Sequence, residues 1–392
     1  MKKNKKLDKF AKRRLGLLII IFVLIICIFL IFNKSNNNQY DNIRLIIGEN
    51  YINLKDEIYI DNFDNIYLSK EDILNLYDPN IYYEQIENIL ITTHNKHIAI
   101  LKLDENKMNI NGSDIETQAS LIKFNNKIYL PFSEMEIVYD FEYEYCKETK
   151  TIIVDSISEE KKQVKVSKNS AKIKKSPKLL SSKIEKLNKD DIVTIIEELE
   201  KYYKVRTSSG NIGYINKKKL ANVEKIRETM QNSKIEKINF LEYNDITKDY
   251  SDIEIDKNSI NGAILNAFNI KNSVIQEKIE FSSNNYSDYI KWAEENEIIV
   301  IATITCDDEI IEDFLSYEKR NTIIQELYKK IIINKLSAVN IKFENINDVN
   351  SFYRFIIELA PMFRESGIKT IVTYNSVLKE DKLNSIVDYV IK

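Results

Sequence analysis

The sequence predicts a multidomain α+β protein. It should comprise an N-terminal transmembrane helix, a repeated small α+β domain, a small β-barrel and a truncated (β/α) barrel of about six strands. Three observations predict this. Leu15–Phe32 is an uncharged apolar run behind a basic cluster. Two stretches, starting at Ile66 and Ile128, resemble each other. From about Lys234 onward, apolar strands alternate with amphipathic helical stretches. A chain of 392 residues has room for two or three domains.

Residues 1–14 form a basic tail, with eight basic side chains against Asp8, a net +7. The whole chain sits at −3, so the remainder sums to −10. A negative body argues against electrostatic binding to nucleic acid or anionic wall polymers. At about 1.5 Å per residue, 15–32 just crosses a hydrocarbon core of roughly 30 Å. Its basic flank comes first, so the positive-inside rule keeps the N-terminus in the cytoplasm and exports the rest. The following "NKSNNNQY" has no small-residue cleavage site, which makes 15–32 an uncleaved anchor and 33–40 a polar linker. The expectation is a single-pass protein of the cell membrane with its bulk extracellular and the lipid bilayer as a partner through residues 15–32. Cys27, Cys146 and Cys306 lie far apart. They give neither a disulfide framework nor a zinc spacing and read as inert thiols.

Residues 41–157 contain the repeat. "IYLSKEDILNLYDPNIYYEQIENILITT" and "IYLPFSEMEIVYDFEYEYCKETKTIIVD" both carry a Tyr-Asp pair at the same offset, Tyr77-Asp78 and Tyr139-Asp140. Each copy reads as a strand, a short helix and two alternating strands, so two small units share a core. The tyrosines Tyr67, Tyr82, Tyr83, Tyr129, Tyr143 and Tyr145 read as strand packing, with stacking on sugars the alternative. His94 and His97 are the only histidines; on one continuous strand their spacing puts them on opposite faces. With so few ligands, no metal or other cofactor is expected. The lead-in "LIIGENYINLKDEIYIDNFDNIYLSKEDI", with "MNINGSDIETQASLIKFNNKIYLPFSEM", resembles the copper amine oxidase N-terminal-like domain of bacterial surface proteins. That resemblance implies a stalk rather than a copper site.

Residues 163–223 follow a charged break at "SEEKK". Short alternating strands are punctuated by turns at "NKDD" and "SSGN", which fits a small barrel. "KLNKDDIVTII", "YYKVRTSSGNIGYI" and "KKKL" resemble the bacterial Src-homology-3-like domain. In that family Gly usually follows the first-turn Lys; here it is Asp190. Tyr203 stands where a Trp is usual. Gly210 suits a hairpin turn, and Gly213-Tyr214-Ile215 opens the last strand. The resemblance implies binding of wall peptide or glycan, with Tyr203 and Tyr214 as candidate contacts, or simple spacing.

Residues 234–392 contain six strands: "KINFLEY", "INGAILNAFNI", "IIVIATIT", "AVNIKF", "KTIVTYN" and "DYVIK". The helical stretches between them are "YSDYIKWAEENE", "EKRNTIIQELYKKIIINK" and "NDVNSFYRFIIELAPMFRESG". In the last, Phe352, Phe355, Ile356, Leu359 and Phe363 recur at helical spacing, Asp348 caps the start and Gly367 the end. Repeating βα units imply a parallel sheet or barrel with sites at the strands' C-terminal ends. Trp292, the only Trp, falls on a helix and reads as packing.

"INGAILNAFNI", "YIKWAEENEIIVIATIT", "LSAVNIKFENIND" and "FYRFIIELAPMFRESGIKTIV" resemble family 18 glycoside hydrolases of the chitinase and peptidoglycan N-acetylglucosaminidase type. In that family the fourth strand ends in a run of alternate acids. The last is a Glu that acts as general acid, and the Asp two residues earlier orients the substrate acetamide that attacks the sugar carbon. Carried over by position, Glu344 matches the acid and Asn340 the inner Asp or Asn. Lys342 replaces the orienting Asp, while Ser337 and Ala338 replace the leading Asp-Gly. A cation at 342 cannot accept the acetamide N–H, and it favours the ionised form of Glu344 where a general acid needs the protonated one. Six strands also fall short of the eight of a barrel. The expected function is therefore an anchored envelope protein with an inactive hydrolase-like domain that binds peptidoglycan, a chitin-like glycan or an envelope partner. One alternative is an active glycosidase with Glu344 as acid, helped by Asp307 and Asp308. The other is a spacer that binds nothing.

Overall fold

The computed structural model describes residues 42–228, 238–242, 246, 250, 253–256, 258–306 and 314–392. The expected anchor, 15–32, lies outside these residues. Among the described residues no helix is long and apolar enough to cross a membrane. The described residues fall into two compact units: one takes those up to Asn53 together with 142–228, the other Leu54–Phe141 together with those from 238 onward. Residues 41–157 thus contribute to both.

In the first unit, strand Arg44–Ile47 runs parallel to Thr151–Ser156, placing Leu45 against Ile152. Phe141–Cys146 and Asn50–Ile52 complete this four-stranded sheet. Residues 161–227 form a seven-stranded sheet, whose alternate residues Val164, Val166, Ile173, Leu187, Val193, Val205 and Ile215 make the core. The "SSGN" turn needs its glycine twice over. Gly210 has φ +79°, and a Cβ there would lie 2.5 Å from Thr151 Cγ2. At "NKDD", Asp190 has φ 71° and its N–H reaches Val166 O at 2.8 Å. The backbone there is left-handed, which is why glycine suits the position and why Asp, with its short polar side chain, is tolerated. Asp190→Ala should cost about 1 kcal/mol and Asp190→Gly close to nothing; paired urea denaturation curves check it.

In the second unit the repeat is plain. Strands Ile66–Ser69 and Lys127–Pro131 pair antiparallel at the centre of a four-stranded sheet, and each leads into a short helix, Lys70–Leu76 or Phe132–Tyr139. Asp72 and Glu134, at equivalent positions of the two copies, do the same work. Asp72 accepts from the Lys55 and Asp56 N–H groups at 2.7 and 3.1 Å, and Glu134 from those of Gln118 and Ala119 at 3.0 and 3.3 Å. Each carboxylate satisfies the backbone of its own lead-in. The two Tyr-Asp pairs converge, with the Tyr77 and Tyr139 rings stacked 5.1 Å apart. Tyr67 and Tyr129 are buried.

The strands Tyr82–Glu84, Ile89–His94, His97–Lys102, Lys107–Ile110 and Ser113–Glu116 form an antiparallel meander. Here the histidine expectation needs correcting. His94 and His97 are cross-strand partners, because Asn95, at φ 53°, reverses the chain between them. Their side chains share a face, and His94 lies against the Tyr139 ring.

The remaining elements are β1 (Ile238–Glu242), β2 (Ile260–Lys271), β3 (Val274–Glu277), α1 (Asn284–Glu295), β4 (Ile298–Cys306), α2 (Tyr317–Ile333), β5 (Ala338–Phe343), α3 (Val349–Glu365), β6 (Lys369–Thr373), α4 (Glu380–Asn384) and β7 (Tyr389–Ile391). The six expected strands form one parallel sheet in the order β1-β2-β4-β5-β6-β7, with β3 folded back antiparallel on β2. Ser283, Ser316 and Asp348 cap α1, α2 and α3 by accepting first-turn N–H groups. Gly367 follows α3 at φ +77°. One face of the sheet packs under the helices, through residues such as Leu265, Ala302, Ile341, Phe355 and Phe363. Trp292 packs beside Tyr250 and Tyr289.

The meander docks on α2 and α3. Glu87 accepts from the Tyr317 and Glu318 N–H groups at 3.2 and 3.4 Å, capping α2 from outside its own segment. The Tyr82 hydroxyl donates to Glu358 of α3, which also accepts from Arg320 Nε of α2 at 2.8 Å. Arg354 pairs with Glu84 and lies over the Tyr82 ring.

Candidate functional site

The other face of the parallel sheet carries the site. Strand side chains alternate, so on β5 Val339, Ile341 and Phe343 go under the helices while Ala338, Asn340 and Lys342 face away from them. The first half of this face is apolar: Ile264, Ile301, Ala338 and Ile371 cluster there with Phe240 and Tyr389. Toward the C-terminal ends it turns polar. Asn266 lies opposite Thr303, Thr303 opposite Asn340, and Thr305 opposite Lys342. A bulge at Ala267 shifts the register of β2. It sends Ala267 and Phe268 both into the core and returns Asn269 to the polar side. Bulges commonly re-aim side chains next to functional sites.

Ile264, Asn266, Thr303, Thr305, Asn340 and Lys342 line a cavity of about 540 Å³, together with Glu242, Lys278, Cys306, Glu344, Asn345, Thr373, Ile391 and Lys392. The sequence-predicted trio Asn340, Lys342 and Glu344 all reach it. Their situations differ. Asn340 is 2% exposed and held on both sides: its Nδ2 donates to Thr303 Oγ1 at 3.3 Å, and its Oδ1 accepts from Thr373 Oγ1 at 3.0 Å. This is a three-strand ladder of polar side chains. Lys342 and Glu344 are exposed, and among the described residues no ion pair joins them to each other or to any neighbour. Thr305 Oγ1 donates to Asn269 Oδ1 at 2.8 Å and accepts from Lys278 Nζ at 3.1 Å.

Sequence reading missed Asn375. Its Nδ2 donates to the carbonyls of Phe343 and Glu344 at 3.2 and 3.1 Å, which fixes the chain where β5 ends. The available signal was a polar residue just past an apolar strand, in "TIVTYN". Asn266 and Lys278 were also missed. Asp307 and Asp308 lie outside the described residues. Tyr203 and Tyr214 are not brought together: Tyr203 pairs with core residue Ile215, and Tyr214 with Lys204 on the opposite face. The Lys217 ammonium covers the Tyr203 ring, 4.7 Å from its centroid. Among the described residues no cluster of three or more His, Cys, Asp or Glu side chains could hold a metal ion.

No family model matches the chain, and no curated protein does. Matches among solved structures include the catalytic domain of a family GH18 chitinase from the fern Peteris ryukyuensis. It is 14% identical with TM-score 0.34, over 39% of this chain and 66% of that one. A chitinase from Bacteroides thetaiotaomicron is 13% identical with TM-score 0.33, over 39% and 51%. The Bacillus cereus spore cortex-lytic enzyme SleL is 14% identical with TM-score 0.30, over 54% and 56%. The chain spans 44% to 66% of the length of the solved chains it matches.

Proposed function

We propose that the cleft at the C-terminal ends of β4, β5 and β6 binds an N-acetylated glycan of the cell envelope without hydrolysing it, on a protein held at the membrane by residues 15–32. The observation that carries this reading is Lys342, which lines the cavity from the same strand face as Asn340. An ammonium has three donors and no acceptor, so it cannot orient an acetamide for attack. Asn340 is 2% exposed and its amide is tied across the sheet to Thr303 and Thr373; being neutral, it does not replace the missing carboxylate. The other carboxylate of the lining, Glu242, stands on β1, three strand spacings from β5. That is roughly 14 Å laterally, beyond the 5–9.5 Å or so of paired-carboxylate hydrolysis. Asn266, Lys278, Lys342, Glu344 and Asn345 remain to donate to and accept from hydroxyl and acetamide groups. The anchor reading rests on the charge and hydropathy pattern of residues 1–32.

The test is purified protein on N-acetylglucosamine oligomers and on peptidoglycan, beside Lys342→Asp and Glu344→Gln. Retention without product release is expected. Product release by wild type that disappears in Glu344→Gln would make the protein a glycosidase and overturn the proposal. Absence of retention on both polymers would leave a spacer.

A further inference from the structure

The hairpin of residues 171–187 does not belong to the cleft. Its strands, Ala171–Lys174 and Lys183–Leu187, pair antiparallel, and its apex is closed by its own hydrogen bonds. Lys175 N–H donates to Ser182 O at 3.0 Å, Ser176 N–H to Ser181 Oγ at 2.9 Å, and Ser181 N–H to Lys178 O at 3.2 Å. The Lys174 ammonium reaches the Leu179 carbonyl. On this ordered apex Leu179 is 81% exposed and Leu180 96%, with Ile184 of the returning strand 39% exposed.

Lysines flank them in the sequence. Residues 171–187 contain Lys172, Lys174, Lys175, Lys178, Lys183 and Lys186 against one acid, Glu185. Glu185 is turned away, accepting from Thr207, Ser209 and Asn211. Among the described residues none of the six lysines is paired with an acid. The hairpin is thus positive in a chain whose residues beyond 14 sum to −10, and it presents two exposed leucines at its apex.

We propose that this apex is a membrane-inserting loop for an anionic lipid surface. Lysines alone would suit a soluble polyanion, and leucines alone an apolar protein groove. An apolar tip on a lysine-rich hairpin matches an interface that is charged outside and hydrocarbon beneath. The site of action rests on the anchor reading, which also favours it. Residues 33–43 span at most about 40 Å fully extended, and Arg44 begins the first strand of the unit that contains the hairpin.

The experiment uses the full chain in proteoliposomes, with Leu180→Trp as reporter and the parent protein, containing Trp292 alone, as background. Acyl-chain-brominated lipid should quench the new tryptophan in vesicles rich in phosphatidylglycerol. Quenching should fall roughly threefold or more in phosphatidylcholine vesicles, or when Lys175, Lys178 and Lys183 are changed to Ser. No quenching in anionic vesicles overturns the proposal. So does an equal emission shift produced by soluble polyphosphate without lipid. Extraction of the same vesicles at high pH tests the anchor separately. A chain that stays in the pellet but shows no quenching at position 180 fails this proposal and not the anchor; one that is stripped off but had been quenched fails only the anchor.

Discussion

Arg320→Met is expected to destabilise the second unit by about 3–5 kcal/mol at pH 8, because it strands a buried carboxylate. Arg320 is completely buried and Glu358 is 3% exposed. The guanidinium does more than pair: Nη1 also donates to the carbonyls of Phe314 and Leu315 at 2.7 and 3.2 Å, tying the chain ahead of α2 to the helix. Replacing both partners, as Arg320→Met with Glu358→Leu, removes the charge and its desolvation together. It should recover most of the loss, since apolar replacements of buried ion pairs are often neutral or better. Urea denaturation followed by Trp292 fluorescence reads this unit. A single variant as stable as wild type, or a double variant worse than the single, would refute the assignment.

The same carboxyl gives a pH signature. Burial pushes Glu358 up to about 7, against the pull of Arg320 and the Tyr82 hydroxyl, from an ordinary value of 4.5. The folded state thus holds this proton more tightly than the unfolded chain. Its contribution to stability is complete below about pH 4.5 and is lost as pH rises through 7, on the order of 3 kcal/mol in all. Other groups titrate as well, so the comparison is with Glu358→Gln. Wild type should lose stability relative to that variant between pH 5 and 8; parallel profiles would contradict the reading.

Glu358 also marks where the sequence stops being informative. The apolar runs gave the six parallel strands, and Phe352, Phe355, Ile356, Leu359 and Phe363 gave α3, because both signals are local periods. Glu358 itself was not singled out in the sequence. Its partners, Tyr82 and Arg320, could not be, because their approach depends on how distant segments pack. The site divides in the same way. Alternation along β5 placed Asn340, Lys342 and Glu344 on one side, but the ladder through Thr303 and Thr373 requires the register of three strands. β3 was missed because "VIQE" is short and half polar, and its turn uses Asn272 and Ser273 at positive φ without a glycine. The histidine hairpin was missed for the same reason: Asn95 supplies the left-handed turn residue that glycine usually announces.

Phe343→Ala is the second large effect expected, about 3–5 kcal/mol. Phe343 is 4% exposed, and its ring lies 5.6 Å from Phe352 and 6.0 Å from both Phe314 and Phe355. It is the last residue of β5, on the face opposite Lys342, so the aromatic cluster beneath it sets where the strand ends and where Glu344 begins. Asn375 secures the same point from the end of β6, through one part-buried and one exposed hydrogen bond to the backbone, and Asn375→Ala should cost only about 1–2 kcal/mol. The two variants should therefore separate stability from ligand retention. Phe343→Ala lowers the urea midpoint steeply but, where still folded, keeps Asn375 in place. Asn375→Ala lowers the midpoint less than Phe343→Ala does and weakens retention of N-acetylated glycan. A Phe343→Ala midpoint close to that of wild type would mean that the cluster does not hold the end of β5.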